Sequence, residues 1–359
     1  MVWLPVLSED RIVSHHFKIW AYFDTISERK GSWCLSCVIL SSLHGMEEKM
    51  GKIAFVFPGQ GAQKVGMGKE FYETSPIAKE IFDKASEAVE LDLKALCFEE
   101  NDDINITEYT QVALLTTSVA IMEVLKDRGI KPDVAAGLSL GEYCALVAAN
   151  SMNYIDAAKA VRKRGIYMQE EVPAGVGGMA AIMGLESTEI EKAIADIPQV
   201  QVANYNCPGQ IVISGKKESV EQGAEKCKEA GARRAVMLNV SGPFHSDLLK
   251  GAGEKLEKVL DSIEINEPQI PYVANVNASY ITKQEDIKPL LVKQVSSSVR
   301  WQQSVETMVE DGVDTFIELG PGRTLAGFNK KIGKAIGKEL TTYSVGTMEE
   351  LEAVVAALS

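Results

Sequence analysis

A serine stands between two glycines in the segment Gly137-Leu-Ser-Leu-Gly141. Residues 132–137 before it have the pattern of a buried strand, and residues 140–149 have that of a helix. A sharp turn between a strand and a helix exposes a serine as a nucleophile, and small flanking residues avoid a clash there. The amides at the helix N-terminus can then stabilise an oxyanion. The sequence therefore predicts that Ser139 is a nucleophile, and a glycine-lined packing turn is the structural alternative.

A serine nucleophile needs a base, which is usually histidine. After residue 49 the chain contains a single histidine, His245, in Gly242-Pro-Phe-His-Ser246. A lone histidine is ordinarily a surface or core residue, but if a histidine activates Ser139, His245 is the one available. Its position after the serine fits the chain order of hydrolase-like folds. Asp247 is too close along the chain to support the ring, and a backbone carbonyl could orient it instead.

Two further segments carry groups that could handle charge. Pro58-Gly-Gln-Gly-Ala-Gln63 follows the first predicted strand, and its glycines let backbone amides approach a ligand. It lacks the lysine and the Ser/Thr of a P-loop, so an oxyanion-hole loop is the better interpretation. In Arg162-Lys-Arg-Gly165, a solvated face is the ordinary interpretation for Arg162 and Lys163. Arg164 could point inward and bind a carboxylate through two hydrogen bonds.

The composition is that of a soluble globular chain. Of its 359 residues, 46% are hydrophobic and 24% are charged, and the length suits two or three packed units. The formal net charge of -13 disfavours nucleic acid and anionic membranes, so an acidic partner would need a local basic patch. The six cysteines are sparse and no secretory signal precedes them, so we expect reduced thiols and a cytoplasmic protein.

The first 49 residues differ from the rest. They hold three of the four tryptophans and three of the four histidines, without helical or strand periodicity. Cys34 and Cys37 have the spacing of a metal-binding pair and His44 lies nearby, but a second pair is missing, so a metal site is the weaker interpretation. We expect an unstructured N-terminal extension, with Met46 or Met50 as alternative start sites, and neither a metal nor another cofactor.

Apolar periodicity predicts an α/β fold. From residue 52 onward, predicted strands alternate with predicted helices, which indicates a largely parallel, hydrolase-like sheet covered on both faces. Within residues 174–240 the predicted order is β-α-β-β-α-β, the ferredoxin-like arrangement. We therefore predict a large subdomain of residues 50–173 and 241–359, with a small ferredoxin-like subdomain, 174–240, inserted in it. Residues 1–49 form the extension.

Seven segments of the chain resemble one family, the malonyl-CoA:acyl-carrier-protein transacylases of bacterial type II fatty acid synthesis. They occur in the family's order and cover residues 51–345, whereas residues 1–45 match nothing in it. The segments are Phe57-Pro-Gly-Gln-Gly-Ala-Gln63, Gly137-Leu-Ser-Leu-Gly-Glu-Tyr143, Arg164-Gly165, Met179-Ala-Ala-Ile182, Asn206-Cys-Pro-Gly-Gln210, Phe244-His245-Ser246 and Glu318-Leu-Gly-Pro-Gly322. Such an ordered set is far more specific than the serine motif alone.

The resemblance implies a role for each matching position. Ser139 would be acylated by malonyl-CoA with His245 as general base, and Arg164 would pair with the malonyl carboxylate. The backbone amides of Gln60 and Leu140 would form the oxyanion hole. The malonyl group would then pass to the phosphopantetheine thiol of an acyl carrier protein, in ping-pong fashion and without a cofactor.

Three positions refine this comparison. In the family, a backbone group near the Trp301 motif supports the histidine, and this role falls on Arg300 here. Many members carry glutamine at that position, so a backbone role is all that transfers. Leu138 replaces a common histidine that is not the base. Phe244 resembles the malonyl-selecting version of related domains, in which a smaller residue accompanies bulkier acyl groups.

Two other classes of function stay open. A serine esterase or thioesterase would use the same Ser–His pair to deliver water, and an acidic triad member with an apolar acyl pocket would favour it. Arg164 facing Ser139 would favour transfer. A non-enzymatic carrier-binding module is the third reading, and acylation of Ser139 would exclude it. The expected partners are malonyl-CoA and acyl carrier protein, without nucleic acid or membrane, and a monomer is compatible with the sequence.

The extension should be dispensable. Because residues 1–45 lack periodicity and match nothing in the family, a protein that begins at Met46 or Met50 should keep its melting temperature and its activity. Thermal denaturation and an acyl-transfer assay on the full and shortened chains measure this. A large drop in either would mean that the extension packs on the core.

Overall fold

The computed structural model describes residues 51–240 and 242–359. The predicted extension, with its cysteine pair and its two alternative start sites, lies outside the described residues. The strands are β1 (Lys52–Phe57), β2 (Val134–Gly137), β3 (Gly177–Met183), β4 (Val200–Cys207), β5 (Gln210–Lys216), β6 (Arg234–Met237), β7 (Tyr272–Val273), β8 (Tyr280–Ile281), β9 (Val313–Leu319) and β10 (Thr341–Val345).

The α-helices of the described residues come in the same chain order. They are α1 (Lys69–Thr74), α2 (Pro76–Val89), α3 (Leu93–Phe98), α4 (Thr107–Asp127), α5 (Gly141–Ala148), α6 (Tyr154–Glu170), α7 (Ser187–Ile194), α8 (Lys217–Glu229), α9 (Lys250–Leu260), α10 (Gln284–Gln294), α11 (Trp301–Glu310), α12 (Thr324–Ala335) and α13 (Met348–Leu358). Two short 3-10 turns, Asp103–Asn105 and Asp247–Leu249, join them.

The larger sheet has six strands in the order β10-β9-β1-β2-β7-β8. Its strands are parallel from β10 through β7, and β8 pairs antiparallel with β7. The inner strand β1 is buried on both faces: Phe55 and Phe57 enter one hydrophobic cluster, whereas Ala54 and Val56 enter another. Because helices cover both faces, β1 is a continuous apolar run rather than an alternating one.

The smaller sheet is antiparallel, with the order β4-β5-β3-β6. Its strands and the helices α7 and α8 follow one another as β-α-β-β-α-β, and a separate hydrophobic cluster, which includes Ile182, Ile213 and Val220, packs between them. The predicted α/β fold with its ferredoxin-like segment is therefore confirmed. The exact subdomain boundaries, 174 and 240, stay a prediction.

Helix α4 is buried along most of its length, and α6 packs closely against it. Gly165 lies at the closest approach: a Cβ atom added there would lie 2.7 Å from Glu108 Cα and 3.0 Å from Thr107 O. The side chain of the preceding residue, Arg164, reaches Gln111 on α4. The absence of a side chain at Gly165 thus lets α4 and α6 approach each other closely, next to the buried guanidinium of Arg164.

Two general properties of the chain concern its thiols and its helices. The four cysteines of the described residues, Cys97, Cys144, Cys207 and Cys227, are free and buried. Within the same residues, every helix is too short or too polar to cross a bilayer.

Substitution of Gly165 tests the close approach of α4 and α6. Gly165→Ala should lower the free energy of unfolding by about 1–3 kcal/mol, because the added methyl group overlaps the α4 backbone. Gly327 in α12 is the matched control, since a Cβ atom there would meet nothing within 4 Å. Gly327→Ala should instead raise stability by about 0.5–1 kcal/mol through helix propensity. Denaturant titration measures both, and equal effects would contradict this account of Gly165.

Candidate active site

Ser139 lies in the sharp turn between β2 and α5, with the left-handed backbone angle φ 55°. The two glycines of the motif make this turn possible. A Cβ atom on Gly137 would lie 2.0 Å from the Gly141 carbonyl carbon, and one on Gly141 would lie 2.3 Å from Phe57 O. Such distances exclude any side chain at either position. A tight turn of this kind fits both interpretations, a packing turn and a turn that exposes a nucleophile. The residues that contact Ser139 distinguish the two.

Three hydrogen bonds hold the strained backbone of this turn. The Ser139 N–H donates to Asn275 Oδ1 at 2.7 Å, and Asn275 Nδ2 donates to Gly137 O at 2.7 Å. Gln294 Nε2 donates to Ser139 O at 2.9 Å. Both side chains are fully buried, so they fix the turn from beneath. A left-handed serine costs energy and persists only where its surroundings determine it in this way.

His245 is placed directly on the serine. Its Nε2 lies 2.7 Å from Ser139 Oγ, and its Nδ1 lies 2.9 Å from Gln294 O and 3.2 Å from Ser297 O. Carbonyl oxygens only accept hydrogen bonds, so Nδ1 carries the ring proton and Nε2 is the acceptor for the serine hydroxyl. This tautomer is the one that a general base requires.

These carbonyls correct the position assigned to the support of the histidine. The sequence comparison placed that role at Arg300, but its N–H donates to Asn275 O at 3.0 Å. The Arg300 carbonyl accepts from Ser304, and its guanidinium lies 5.3 Å from the Tyr205 ring. The role itself is a backbone one, as expected, and it belongs to Gln294 at the end of α10 and to Ser297 just after it.

His245 is 3% exposed and also has a left-handed backbone, φ 58°. Its carbonyl accepts a hydrogen bond from Gln201 Nε2 at 3.1 Å, and Gln201 Oε1 accepts from the Asp247 N–H at 3.0 Å. Burial, reinforced by the positive charge of Arg164, lowers the pKa of His245 to about 4 against the contrary effect of the two carbonyls. The imidazole is therefore neutral and ready to accept a proton at neutral pH.

Arg164 points inward and is 1% exposed. Its Nη1 donates to Gln111 Oε1 at 2.7 Å, and its Nη2 donates to Gln294 Oε1 at 2.9 Å and to Ser139 Oγ at 3.1 Å. The guanidinium is thus held by neutral amides and touches the serine oxygen. Its Nε has no hydrogen-bond partner within residues 51–240 and 242–359, which leaves the buried cation with spare donor capacity.

The other two residues of the basic run behave differently from Arg164. Lys163 is exposed, as expected of a solvated helix face. Arg162 is largely buried and pairs with Glu108, and its guanidinium carbon lies 4.6 Å from the Tyr109 ring. The solvated interpretation is therefore wrong for Arg162, which helps to fasten α6 to α4.

A cavity of about 300 Å³ joins the remaining site residues. Gln60, Leu140 and Phe244 line it together with the serine, the histidine and Arg164. The loop after β1 lies against the serine turn, because a Cβ atom on Gly59 would lie 2.7 Å from Leu138 O. In the described part of the chain, neither the Gln60 nor the Leu140 backbone N–H has a hydrogen-bond partner. Both amides are therefore available for an oxyanion.

Sequence reasoning missed three buried polar residues of the site, namely Glu142, Asn275 and Gln294. Gln294 ends α10, a helix that went unrecognised because Pro289 stands inside it and its apolar residues form no clear stripe. Asn275 follows β7, which is two residues long and too short for a periodic signal. The one available signal was Glu142, an acidic residue that directly follows the serine motif in an otherwise apolar helix.

The fold and this cavity together define an α/β acyltransferase. The acyl transferase domain family matches residues 54–353. The chain is 48% identical over 314 residues to the malonyl CoA-acyl carrier protein transacylase of Bacillus subtilis (strain 168), a match that spans 86% of this chain and 98% of the relative. The chain therefore belongs to the acyl transferase family, among the malonyl CoA-acyl carrier protein transacylases.

Solved structures agree with this placement. The transacylase of that name from Clostridium perfringens has a TM-score of 0.82 and 43% identity, covering 86% of this chain and 97% of that one. The malonyl-transacylase PlMCAT, solved in complex with AntF, a type II PKS acyl-carrier protein, has a TM-score of 0.82 and 40% identity. That match covers 85% of this chain and 99% of PlMCAT.

The low pKa of His245 should make stability depend on pH. Between about pH 6.5 and about pH 4 the unfolded histidine takes up a proton that the folded one refuses, so stability falls as pH falls through this window. The loss reaches about 3 kcal/mol at its limit. Urea denaturation of wild type and His245→Gln at several pH values isolates this effect, because the variant lacks it. Parallel curves for the two proteins would show that His245 titrates normally.

Proposed function

We propose that this protein transfers a malonyl group from malonyl-CoA to the phosphopantetheine thiol of an acyl carrier protein, through a malonyl ester on Ser139. The observation that carries the proposal is the 3.1 Å contact between Arg164 Nη2 and Ser139 Oγ. It puts a buried cation beside the atom that would bear the acyl group. The names of the relatives support the same activity.

Arg164 would select the acyl group. A malonyl ester on Ser139 carries its carboxylate only a few bonds from Oγ, within reach of the guanidinium. The unpaired Nε and the remaining N–H groups can form a two-pronged, charge-assisted contact with it. An acyl group without a carboxylate would leave that buried charge uncompensated, which disfavours it. Phe244 bounds the cavity and would limit the bulk of the acyl chain.

Acylation would begin with the neutral His245. As Ser139 Oγ attacks the thioester carbon, its proton passes to His245 Nε2, and the Gln60 and Leu140 amides receive the developing oxyanion. The carbon–sulfur bond then breaks, and the imidazolium returns the proton to the coenzyme A sulfur. Oγ has gained the malonyl group and the enzyme has recovered its neutral base.

Transfer to the carrier would reverse these steps. The phosphopantetheine thiol gives its proton to His245 Nε2 and its sulfur attacks the ester carbon. The carbon–oxygen bond breaks, and the proton returns to Ser139 Oγ. Each donor leaves before the next acceptor reacts, so ping-pong kinetics follow. The complex of PlMCAT with an acyl-carrier protein supports a carrier as the second substrate.

The esterase alternative fits the site less well. A hydrolase of this type usually orients its histidine with a carboxylate, whereas His245 Nδ1 faces two carbonyl oxygens. An apolar acyl pocket would also favour an esterase, but here Arg164 lies against the serine oxygen. Both features that the sequence left open therefore support transfer of a carboxylated acyl group.

The carrier is expected to be acidic, so it needs a cationic face near the cavity. The chain contains two basic groups that are candidates for this role. The first consists of Lys216, Lys217, Arg233 and Arg234, and its members lie apart in the structure. The strand register puts Lys216 opposite Gly177 and Arg234 opposite Met183, at opposite ends of β3 and about 20 Å apart. The second group was Arg323, Lys330, Lys331 and Lys334, and its member Arg323 pairs with Glu350.

Three of these cations lie near Gln210, at one end of the small sheet. Lys331 Nζ donates to Gln210 Oε1 at 3.4 Å, and Gln210 lines the cavity. The Gly184 Cα lies next to Gly209 on one side and to Arg233 on the other, which brings Arg233 and Arg234 to the same edge. We name Arg233, Arg234 and Lys331 the carrier face. All three are exposed and available to an acidic partner.

Replacement of the guanidinium tests acyl selection. Arg164→Ala should reduce kcat/KM for malonyl-CoA by about 2–5 kcal/mol, because the malonyl carboxylate would lose its buried partner. The loss with acetyl-CoA should be far smaller. Lys163→Ala is the control, since the neighbouring side chain is exposed, and it should leave both donors unaffected. Equal losses for the two donors in Arg164→Ala would show that Arg164 is structural.

Charge reversal tests the carrier face. The double substitution Arg234→Glu with Lys331→Glu should raise the KM for carrier and leave acylation by malonyl-CoA unchanged, because rim charges act mainly on association. Added salt should shrink the difference between variant and wild type. Lys217→Glu, at the far end of β3, is the control and should have little effect. An unchanged carrier KM, or a matching loss in acylation, would refute this assignment.

A further inference from the structure

Glu142 has no part in the reaction steps above, yet it lies directly behind them. It belongs to the first turn of α5 and is 0% exposed. Its Oε2 accepts hydrogen bonds from Gln294 Nε2 at 2.7 Å and from the Asn275 N–H at 3.1 Å. Its Oε1 has no hydrogen-bond partner among the described residues. A fully buried carboxylate with one unpaired oxygen is costly, so its presence calls for a reason.

Gln294 links this carboxylate to the guanidinium of the site. Its Nε2 donates to Glu142, and its Oε1 accepts from Arg164 Nη2 at 2.9 Å. The two buried charges therefore lie at the two ends of one amide group. Arg164 forms no direct ion pair with a carboxylate in residues 51–240 and 242–359; its side-chain contacts are with Gln111, Gln294 and Ser139. Along the chain of hydrogen bonds that begins at Arg164, Glu142 is thus the first residue that can carry a negative charge.

We propose that Glu142 is a positioning residue that sets how tightly Arg164 holds the acyl carboxylate. In the empty site, its negative charge balances the guanidinium through Gln294. When a malonyl group occupies Ser139, two carboxylates share one cation in a buried space, and Glu142 relieves the excess by taking up a proton. The inference rests on the proposed function, because it concerns the same acyl-enzyme.

The surroundings of Glu142 make that proton uptake feasible near neutral pH. Burial raises the pKa of Glu142 to about 7, against the opposing hydrogen bonds from Asn275 and Gln294 and the charge of Arg164. Two other titratable groups face it, Tyr143 on α5 and Tyr272 on β7, and burial raises the pKa of both phenols, so they stay neutral. On α10, Asp286 adds a negative charge that acts on Tyr272.

Malonyl loading changes the pKa of Glu142, and this makes the loading equilibrium depend on pH. The positive charge of Arg164 favours the charged form of Glu142 in the empty site. When the malonyl carboxylate pairs with Arg164, this effect is weakened, so the pKa of Glu142 rises. The loaded enzyme then binds more protons than the empty one, and the equilibrium constant for malonyl loading falls as pH rises through about 7, by up to about tenfold per pH unit. An acetyl group has no carboxylate, so its loading constant should lack this decline.

The test measures the loading equilibrium itself. The full-length enzyme is mixed with malonyl-CoA and free coenzyme A at fixed ratios from about pH 6 to about pH 8, and intact mass gives the acylated fraction. The same series with acetyl-CoA corrects for ionisation of the coenzyme A thiol, which is common to both donors. In wild type, the malonyl-to-acetyl ratio of loading constants should fall with pH, several-fold across the range.

Three variants complete the design. Glu142→Gln should flatten the pH dependence and hold malonyl more tightly than wild type near pH 8, because the empty site keeps an unbalanced cation. Glu142→Asp retains the charge and should keep a decline, which covers the case in which the amide variant fails to fold. Glu221→Gln changes an exposed glutamate on α8 and should match wild type.

A flat malonyl-to-acetyl ratio in wild type would overturn the inference, as would an identical slope in wild type and Glu142→Gln. Neither result bears on the proposed function, which requires the malonyl-enzyme to form but sets no pH dependence for its loading. If no malonyl adduct appears in wild type at any pH, the proposed function itself fails, and the two failures are thereby told apart.

Discussion

A buried guanidinium beside a serine oxygen is the constraint on which the rest of the site depends. Arg164 can be kept charged in the interior only if its donors meet acceptors, and Gln111 and Gln294 supply them. Gly165 lets α6 approach α4 closely enough for the first of these contacts. Glu142, on the other side of Gln294, accepts a hydrogen bond from the same amide group. The packing of three helices is therefore organised around one cation.

The same cation prepares the chemistry of its neighbours. Burial and this positive charge lower the pKa of His245, so the imidazole is neutral and its Nε2 accepts a hydrogen bond from the serine. Ser139 and His245 both hold left-handed backbone angles, which place their side chains 2.7 Å apart. Gln294 contributes to both: its side chain binds the Ser139 carbonyl, and its own carbonyl orients the imidazole. Gln294, a buried residue at the end of α10, thus connects the backbone of the serine turn to the ring of the histidine.

The sequence predicts those parts of the site that require a particular residue type, and it does not predict those that depend on backbone groups or on the orientation of a side chain. The serine turn was predictable because its glycines are sterically obligatory, and His245 followed because the rest of the described chain offers no other histidine. The inward orientation of Arg164 was left open, since neighbouring residues on one helix look alike in sequence. The support of His245 was misplaced at Arg300, because a backbone carbonyl leaves no mark on the residue type. Gln294 was not predicted, because Pro289 inside its helix argues against a helix in the sequence.

The central claim is that Ser139 carries the acyl group between two thiols, and intact mass spectrometry tests it most directly. After mixing with malonyl-CoA, the wild-type chain should gain the mass of one malonyl group and lose it again when holo carrier protein is added. Ser139→Ala should show no adduct, whereas Ser262→Ala, at an exposed serine, should behave like wild type. An undiminished adduct in Ser139→Ala, or an adduct that carrier cannot remove, would contradict the account.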